Sequence, residues 1–211
     1  ATAGKCIVKT YADLVAGGVF RRYPSRAGLP NQPLLISTSS IALQGAIIHD
    51  YLPFLSKVMM ADGMLDSPLR AVLRKGKSHY VCDARLMKRL QTANLDRKNP
   101  LAKAALLSMR DHLDLDMAPH LSGYDRERIC VPPTCDCGKT ECRYLCYLDV
   151  CASERYAIKV CNHNLLLADA IHQGSGKRPI LPDSCAIVMD EAHKLPETAR
   201  QMFGITLAAG E

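Results

Sequence analysis

Asp190 and Glu191 stand side by side at the end of the apolar run Cys185-Ala186-Ile187-Val188-Met189, and Ala192-His193 follow them. A short continuous hydrophobic run reads as a strand buried in a parallel sheet. Open α/β sheets bind ligands at the carboxyl ends of such strands, so this strand would deliver both carboxylates to a ligand crevice. There Asp190 can hold Mg2+ and Glu191 can orient or deprotonate an attacking water, as in nucleoside-triphosphate hydrolysis. An acidic pair after a strand also suits a helix N-terminus, where the dipole favours negative charge. The apolar run directly before the pair favours the nucleotide chemistry.

Cysteines form the second chemical signal. Of the ten, Cys130, Cys135, Cys137, Cys142, Cys146, Cys151 and Cys161 lie close together, Cys82 precedes them, and Cys6 and Cys185 are remote. Disulfide frameworks suit small exported domains, and no export signal is visible. Clustered soft thiolates then point to zinc or an iron–sulfur cluster. Zinc ribbons usually pair two Cys-x-x-Cys doublets, a spacing that no pair here has, and the uneven intervals suit a cluster slightly better. Both metals stay open on spacing. Cys146 and Cys151 follow Cys142 at helical spacing and read as packed or partly exposed, while Cys161 and Cys185 in apolar strands read as small hydrophobes.

The elements that must position these groups alternate between helix and strand. Ile7, Tyr11, Leu14 and Val15 share a helical face that ends near Gly17-Gly18. Leu34-Leu35-Ile36 reads as a short buried strand leading into Ser37-Thr38-Ser39-Ser40, and 41–58 as a helix despite Gly45 and Pro53. The segment 70–110 is basic and helix-favouring. Pro132-Pro133 and Gly138 punctuate the cysteine-rich segment 130–151. A strand over 156–160, a helix from Leu165, and a loop at Gly174-Ser175-Gly176 precede the carboxylate strand, which is expected to be central in its sheet. The pattern is that of an α/β domain with a metal-bearing insertion.

Composition sets wide bounds. The 211 residues suit one large domain or one domain with an insertion. A formal net charge of +6 permits nucleic-acid binding without requiring it. Lysines and arginines from Lys75 to Arg89 surround Tyr80, a mixture that suits single strands, although a solvated helix face has the same composition. No apolar run approaches the roughly 18 residues needed to cross a bilayer. The chain opens on Ala1-Thr2-Ala3-Gly4-Lys5 and stops soon after the carboxylate pair. Both ends look like cuts, and a longer cytoplasmic polypeptide is expected.

Taken in order, these pieces resemble the iron–sulfur DNA helicases of superfamily 2, the DinG/XPD-like group. The matching residues are Leu35-Ile36-Ser37-Thr38-Ser39-Ser40-Ile41-Ala42-Leu43-Gln44, similar to motif Ia of that family, and Arg74-Lys75-Gly76-Lys77-Ser78-His79-Tyr80-Val81-Cys82, similar to the segment bringing its first cluster cysteine. The cysteine group follows, then Val160-Cys161-Asn162-His163-Asn164-Leu165-Leu166-Leu167, then Asp190-Glu191-Ala192-His193, the letters of a DEAH box. The resemblance covers almost the whole chain. It implies a partial RecA-like, parallel-sheet first motor lobe in 1–74 and 156–211, with a mainly helical cluster insertion in 75–155. It also implies ATP-driven 5′-to-3′ movement on single-stranded DNA, with ATP, Mg2+ and a 4Fe–4S cluster as cofactors and a second lobe of the same polypeptide as partner.

Carried over residue by residue, the resemblance makes Glu191, Asp190 and His193 catalytic, with Asp190 on Mg2+ and His193 coupling the nucleotide site to the DNA path. Cys82 is a cluster ligand by its context. Cys130, Cys135 and Cys142 complete the set by spacing, with Cys137 as a rival for Cys135. Ser37, Thr38 and Ser39, with Lys77 and Tyr80, are the expected DNA contacts. His163 reads as a structural or coupling residue rather than a metal ligand. A phosphate loop needs Gly-x-x-x-x-Gly-Lys-Ser/Thr so that its backbone amides can wrap the phosphates. One register takes Lys9-Thr10, with Val8 and Ala3 at the glycine positions; the other takes Lys5-Cys6, with a sulfur where a hydroxyl belongs. Either departure puts ATP binding in question. A non-catalytic, iron–sulfur- or zinc-bearing nucleic-acid-binding remnant is therefore the alternative function.

Overall fold

A computed structural model describes residues 32–95, 99–135 and 142–204, together with Lys9, Thr10, Ala12 and Leu14. Lys5, Cys6, Val8, Ala3 and Cys137, on which two of the expectations rest, lie outside the described residues. Two compact units divide the chain: 1–74 with 151–211, and 75–150.

The first unit is built on a parallel sheet. Its strands are β1 (Leu34–Thr38), β2 (Ala71–Leu73), β3 (Ile158–Asn162) and β4 (Ala186–Met189). Their order across the sheet is β2-β3-β1-β4. All three pairings are parallel, with Ser37 opposite Cys161 on one side and Met189 on the other. Alternation along the strands feeds two cores, as a sheet covered on both faces requires. Leu34, Ile36, Ile158 and Val160 pack with Ile47, Leu52, Leu55 and Met59. Leu35 and Cys161 pack with Leu165 and Leu181 on the other core. This is the expected α/β architecture.

Helix α1 (Ile41–Ala46) passes through a π-helical turn at Ile47–Tyr51 into α2 (Leu52–Ala61). The segment expected to be one helix is therefore three continuous helical pieces. The wide turn sits just before Pro53, whose missing N–H an ordinary helix interior would have to accommodate. Two further expectations are corrected. Residues 71–73 form β2 rather than helix, because pairing with β3 outweighs the propensity of three residues flanked by arginines. In the described sheet β4 is an edge strand, not a central one.

Buried Lys159 on β3 donates to the carbonyls of Cys151 and Ser153, at and just beyond the C-terminal end of α6 (Arg143–Ala152), where the helix dipole favours a cation. After β3, Asn162 caps α7 (His163–Gly174) by accepting from the Leu165 amide. The helix runs through Gly174 and ends in the left-handed turn of Gly176, φ +68°. Asp169 then accepts the amides of Ile180 and Leu181, which pins the connection toward β4. No described helix is long and apolar enough to cross a membrane.

The second unit is mainly helical. It contains α3 (Asp83–Thr92), α4 (Pro100–Ser108), α5 (Gly123–Ile129) and most of α6. Leu86, Leu106, Met109, Leu115 and Ile129 form its main core. The extended segment Tyr80–Cys82 is held between two others: Val81 N–H donates to Leu113 O (2.9 Å), Cys82 N–H to Ile129 O (2.8 Å), and Val131 N–H to Tyr80 O (2.8 Å). A charged network accompanies them. Buried Lys75 reaches Asp114 (2.6 Å) and Asp116 (2.8 Å), and Arg126 also pairs with Asp116. Burial pushes the Asp116 carboxyl up, but hydrogen bonds from Lys75 and Arg126 outweigh it and hold the group down at about 2.

A carboxyl depressed from 3.8 in the unfolded chain to about 2 in the fold stabilises the fold above pH 3.8, an effect lost as pH falls through 2. Asp116→Asn should therefore cost on the order of 2 kcal/mol near neutral pH. Denaturant titrations of the two proteins should converge between pH 4 and pH 2; a difference that persists at pH 2 would contradict this reading.

Candidate nucleotide and DNA site

The carboxyl ends of β1, β3 and β4 lie at one edge of the sheet because the strands are parallel and in register. Asp190 and Glu191 leave β4 at that edge, where the Asp190 amide donates to Ser37 O (2.8 Å) and continues the ladder by one bond. Lys9 brings its ammonium to 3.6 Å from Asp190 Oδ1 while staying exposed to solvent, and neighbouring Thr10 is buried. A cation and a carboxylate thus face each other at the strand ends. Mg2+ keeps several waters and needs only one or two protein carboxylates, so Asp190 suits that ion. The wrapping loop expected before Lys9 lies outside the described residues.

Glu191 is the only non-glycine residue of positive φ among those described, at φ 53° and ψ 42°. Such a conformation costs on the order of 1 kcal/mol or more and recurs at functional sites. Three contacts fix the residue. Its amide donates to Asp190 Oδ1 (3.0 Å), and its Oε2 accepts from the Ser39 hydroxyl and pairs with Lys194 (3.2 Å). The Ser39 bond first, then Lys194, holds the Glu191 carboxyl below its ordinary range. His193 is exposed on the short 3-10 turn Ala192–Lys194 that follows.

Three of the four hydroxyls after Ile36 have distinct partners. Ser37 is fully buried, its Oγ 2.8 Å from His163 Nδ1. Thr38 is fully buried too. Ser39 serves Glu191, and Ser40 caps α1 by accepting from the Leu43 amide (3.2 Å). In this conformation the Ser37 and Thr38 side chains are closed off from solvent. His163 is fully buried and held by Ser37. Burial pushes the neighbouring Cys161 thiol up to about 12, so it stays a neutral, packed group.

Tyr80 also lies inside the fold. It is 2% exposed, its hydroxyl accepts from the Lys75 amide, and its ring packs against Tyr144 and Tyr147 with centroids 5.3 and 5.4 Å away. It offers no open face to a base. Lys77 is exposed and reaches the Pro133 carbonyl. The exposed aromatic in a basic setting is Tyr124, which no sequence expectation included. It is 57% exposed, with the Arg128 guanidinium 4.0 Å and that of Arg89 5.0 Å from its ring centroid. The sequence signal was present as arginines around a tyrosine at helical spacing, but the run around Tyr80 is denser in charge.

Cys82, Cys130, Cys135, Cys142, Cys161 and Cys185 carry free thiols. Cys82 and Cys142 are buried in one small core with Tyr80, Val131 and Tyr144. Half-buried Cys130 pairs across to Val81 and takes the Arg85 guanidinium on its carbonyl (2.7 Å), while Cys135 is exposed. Cys146 is exposed and Cys151 buried. Among the described residues no three His, Cys, Asp or Glu side chains converge in a way that could hold a metal ion. The four expected thiols, as placed, therefore do not make a ligand set for a cluster.

No protein-family model matches the chain. Curated relatives do. ATP-dependent DNA helicase YoaA of Escherichia coli (strain K12) is 29% identical over 216 residues, covering 98% of this chain and 31% of that protein. YoaA of Haemophilus influenzae is 27% identical over 225 residues, with coverage of 98% and 31%. ATP-dependent DNA helicase DinG of Photobacterium profundum is 27% identical over 215 residues, with coverage of 94% and 29%. The chain spans about a third of the length of these relatives. Along nearly its whole length, this α/β chain is similar to that third of a DinG-like ATP-dependent DNA helicase.

Proposed function

We propose that the first unit belongs to the nucleotide-hydrolysing lobe of an ATP-dependent DNA helicase that moves 5′ to 3′ on single-stranded DNA. The observation that carries this reading is the 3.6 Å approach of Lys9 to Asp190, with Glu191 next to it, at the carboxyl edge of a parallel sheet. Lys9 and Thr10 would hold the phosphates and Asp190 the Mg2+, which neutralises charge developing on the transferred phosphoryl group. Ser39 and Lys194 both engage Glu191 Oε2, so Oε1 is the oxygen suited to orient a water. His193, exposed two residues on, is suited to pass the state of this site to bound DNA.

The single-stranded partner is supported by the second unit. Guanidinium planes and aromatic rings stack on unpaired bases and contact phosphates without reading sequence. Tyr124 with Arg128 presents that combination to solvent. A 4Fe–4S cluster on Cys82, Cys130, Cys142 and one of Cys135 or Cys137 rests on the resemblance and on Cys82 and Cys142 sharing one core.

In a polypeptide of the relatives' full length carrying this sequence with Val8→Gly, single-stranded DNA should stimulate ATP hydrolysis, and Glu191→Gln should lower turnover at least about a hundredfold. Unchanged turnover in that variant would remove Glu191 from the chemistry. Strand displacement should require a 5′ overhang, and activity from a 3′ overhang alone would reverse the polarity.

The chain itself should bind single-stranded DNA weakly, with affinity falling steeply as salt rises. Arg128→Ala should weaken binding and reduce the slope of log K against log salt by about 0.7. An unaltered slope would place the phosphates elsewhere.

Anaerobically purified chain should contain iron and sulfide. Cys82→Ser should lose the brown colour and Cys185→Ser should keep it. Stoichiometric zinc without sulfide would replace the cluster with a zinc site.

A further inference from the structure

We infer that Ser39 is a positioning residue for Glu191, so that the turn between β1 and α1 sets the aim of the carboxylate that acts on the water. The inference rests on the hydrolytic reading above. Ser39 leaves the end of β1, one residue past Thr38, and its hydroxyl donates to Glu191 Oε2 across the β1–β4 pair. Lys194 reaches the same oxygen from the 3-10 turn. A serine has one short rotor on a backbone fixed by the sheet, whereas an exposed lysine carries a flexible stem. The serine therefore sets direction, and the lysine adds charge.

The backbone makes this restraint necessary. Glu191 stands in the left-handed region, and its amide is already spent on Asp190 Oδ1. The side chain is partly exposed and borders the exposed residues Ala192 and His193. Without a partner on β1, a glutamate in that setting would sample several rotamers. Its neighbours have other duties: Ser37 holds His163 and Ser40 caps α1. Ser39 is the one hydroxyl of the four committed to Glu191. Because Ser40 fixes the start of α1, a ligand that displaces this turn moves Ser39 with it. Occupancy of the turn and the aim of the carboxylate then become one event.

The test has two readouts. On the chain itself, side-chain NMR couplings of Glu191 should report one dominant rotamer in the wild type. Ser39→Ala should average them, Ser39→Thr should retain them, and Lys194→Ala should change them less. One dominant rotamer in Ser39→Ala would overturn the inference. In the full-length polypeptide, Ser39→Ala should lower kcat for ATP on the order of tenfold, about one charged hydrogen bond. KM should hold and Ser39→Thr should restore the rate. Equal kcat in wild type and Ser39→Ala, alongside an inactive Glu191→Gln, would likewise overturn it. Averaged rotamers in Ser39→Ala with full activity in Glu191→Gln would instead remove the hydrolytic reading and leave the Ser39 contact standing. If the wild type hydrolyses no ATP, the rotamer measurement alone decides.

Discussion

The parallel, in-register pairing of β1 with β3 on one side and β4 on the other brings the polar residues that follow these strands to one edge of the sheet. Parallel strands point their carboxyl ends the same way, so Ser37 to Ser40, Asn162-His163 and Asp190-Glu191 arrive at one edge from positions far apart in sequence. A slip of one residue in β1 would turn Leu34 and Ile36 away from their core and carry the hydroxyls to the wrong faces. Two-sided burial resists that slip, since Leu34 and Ile36 serve one core and Leu35 serves the other. The apolar pattern thereby fixes the geometry of polar groups that contribute little to the core themselves.

Polar satisfaction then divides the hydroxyls. A buried hydroxyl left unpaired is costly, and at Ser37 the cost is offset by a histidine that itself needs a partner. Farther along the chain, Ser39 and Ser40 emerge from the sheet and serve a carboxylate and a helix end. The same local sequence therefore supplies a core contact, a restraint on a catalytic-type carboxylate and a cap. Lys159 offers a related case. Burial lowers its pKa, yet its ammonium finds the carbonyls at the end of α6, so a charge on a buried strand serves as a helix cap.

The second unit adds polar cross-links to its two apolar cores. Lys75 with Asp114 and Asp116, Arg126 with Asp116, Arg89 with Asp125 and Arg143 with Asp83 join segments separated in sequence. Two of these cations, Lys75 and Arg89, belong to the basic run that composition would assign to nucleic acid. Their carboxylate partners are occupied internally, so the charge left for a phosphate backbone is smaller than the sequence suggests. Arg128, stacked on Tyr124, is exposed instead. Around Tyr80 the aromatic rings contribute packing to the same small core as Cys82 and Cys142.

The α/β class, the strands β1, β3 and β4, and the delivery of Asp190 and Glu191 to a strand end were legible in the sequence, because apolar runs ending in chemistry-bearing residues are local patterns. Strand β2 was not: three residues between arginines carry no periodicity, and only the partner strand makes them extended. The position of β4 at the sheet edge, and the placement of Lys9 beside Asp190, depend on how distant segments meet. Burial decided the rest. The family resemblance put Tyr80 and Ser37 among the expected DNA contacts, whereas hydrophobic packing and a histidine partner hold both side chains inward. The types of residue at the site were written locally, whereas which hydroxyl meets Glu191 and which arginine remains for a ligand were set by long-range pairing, where burial and charge compensation are settled together.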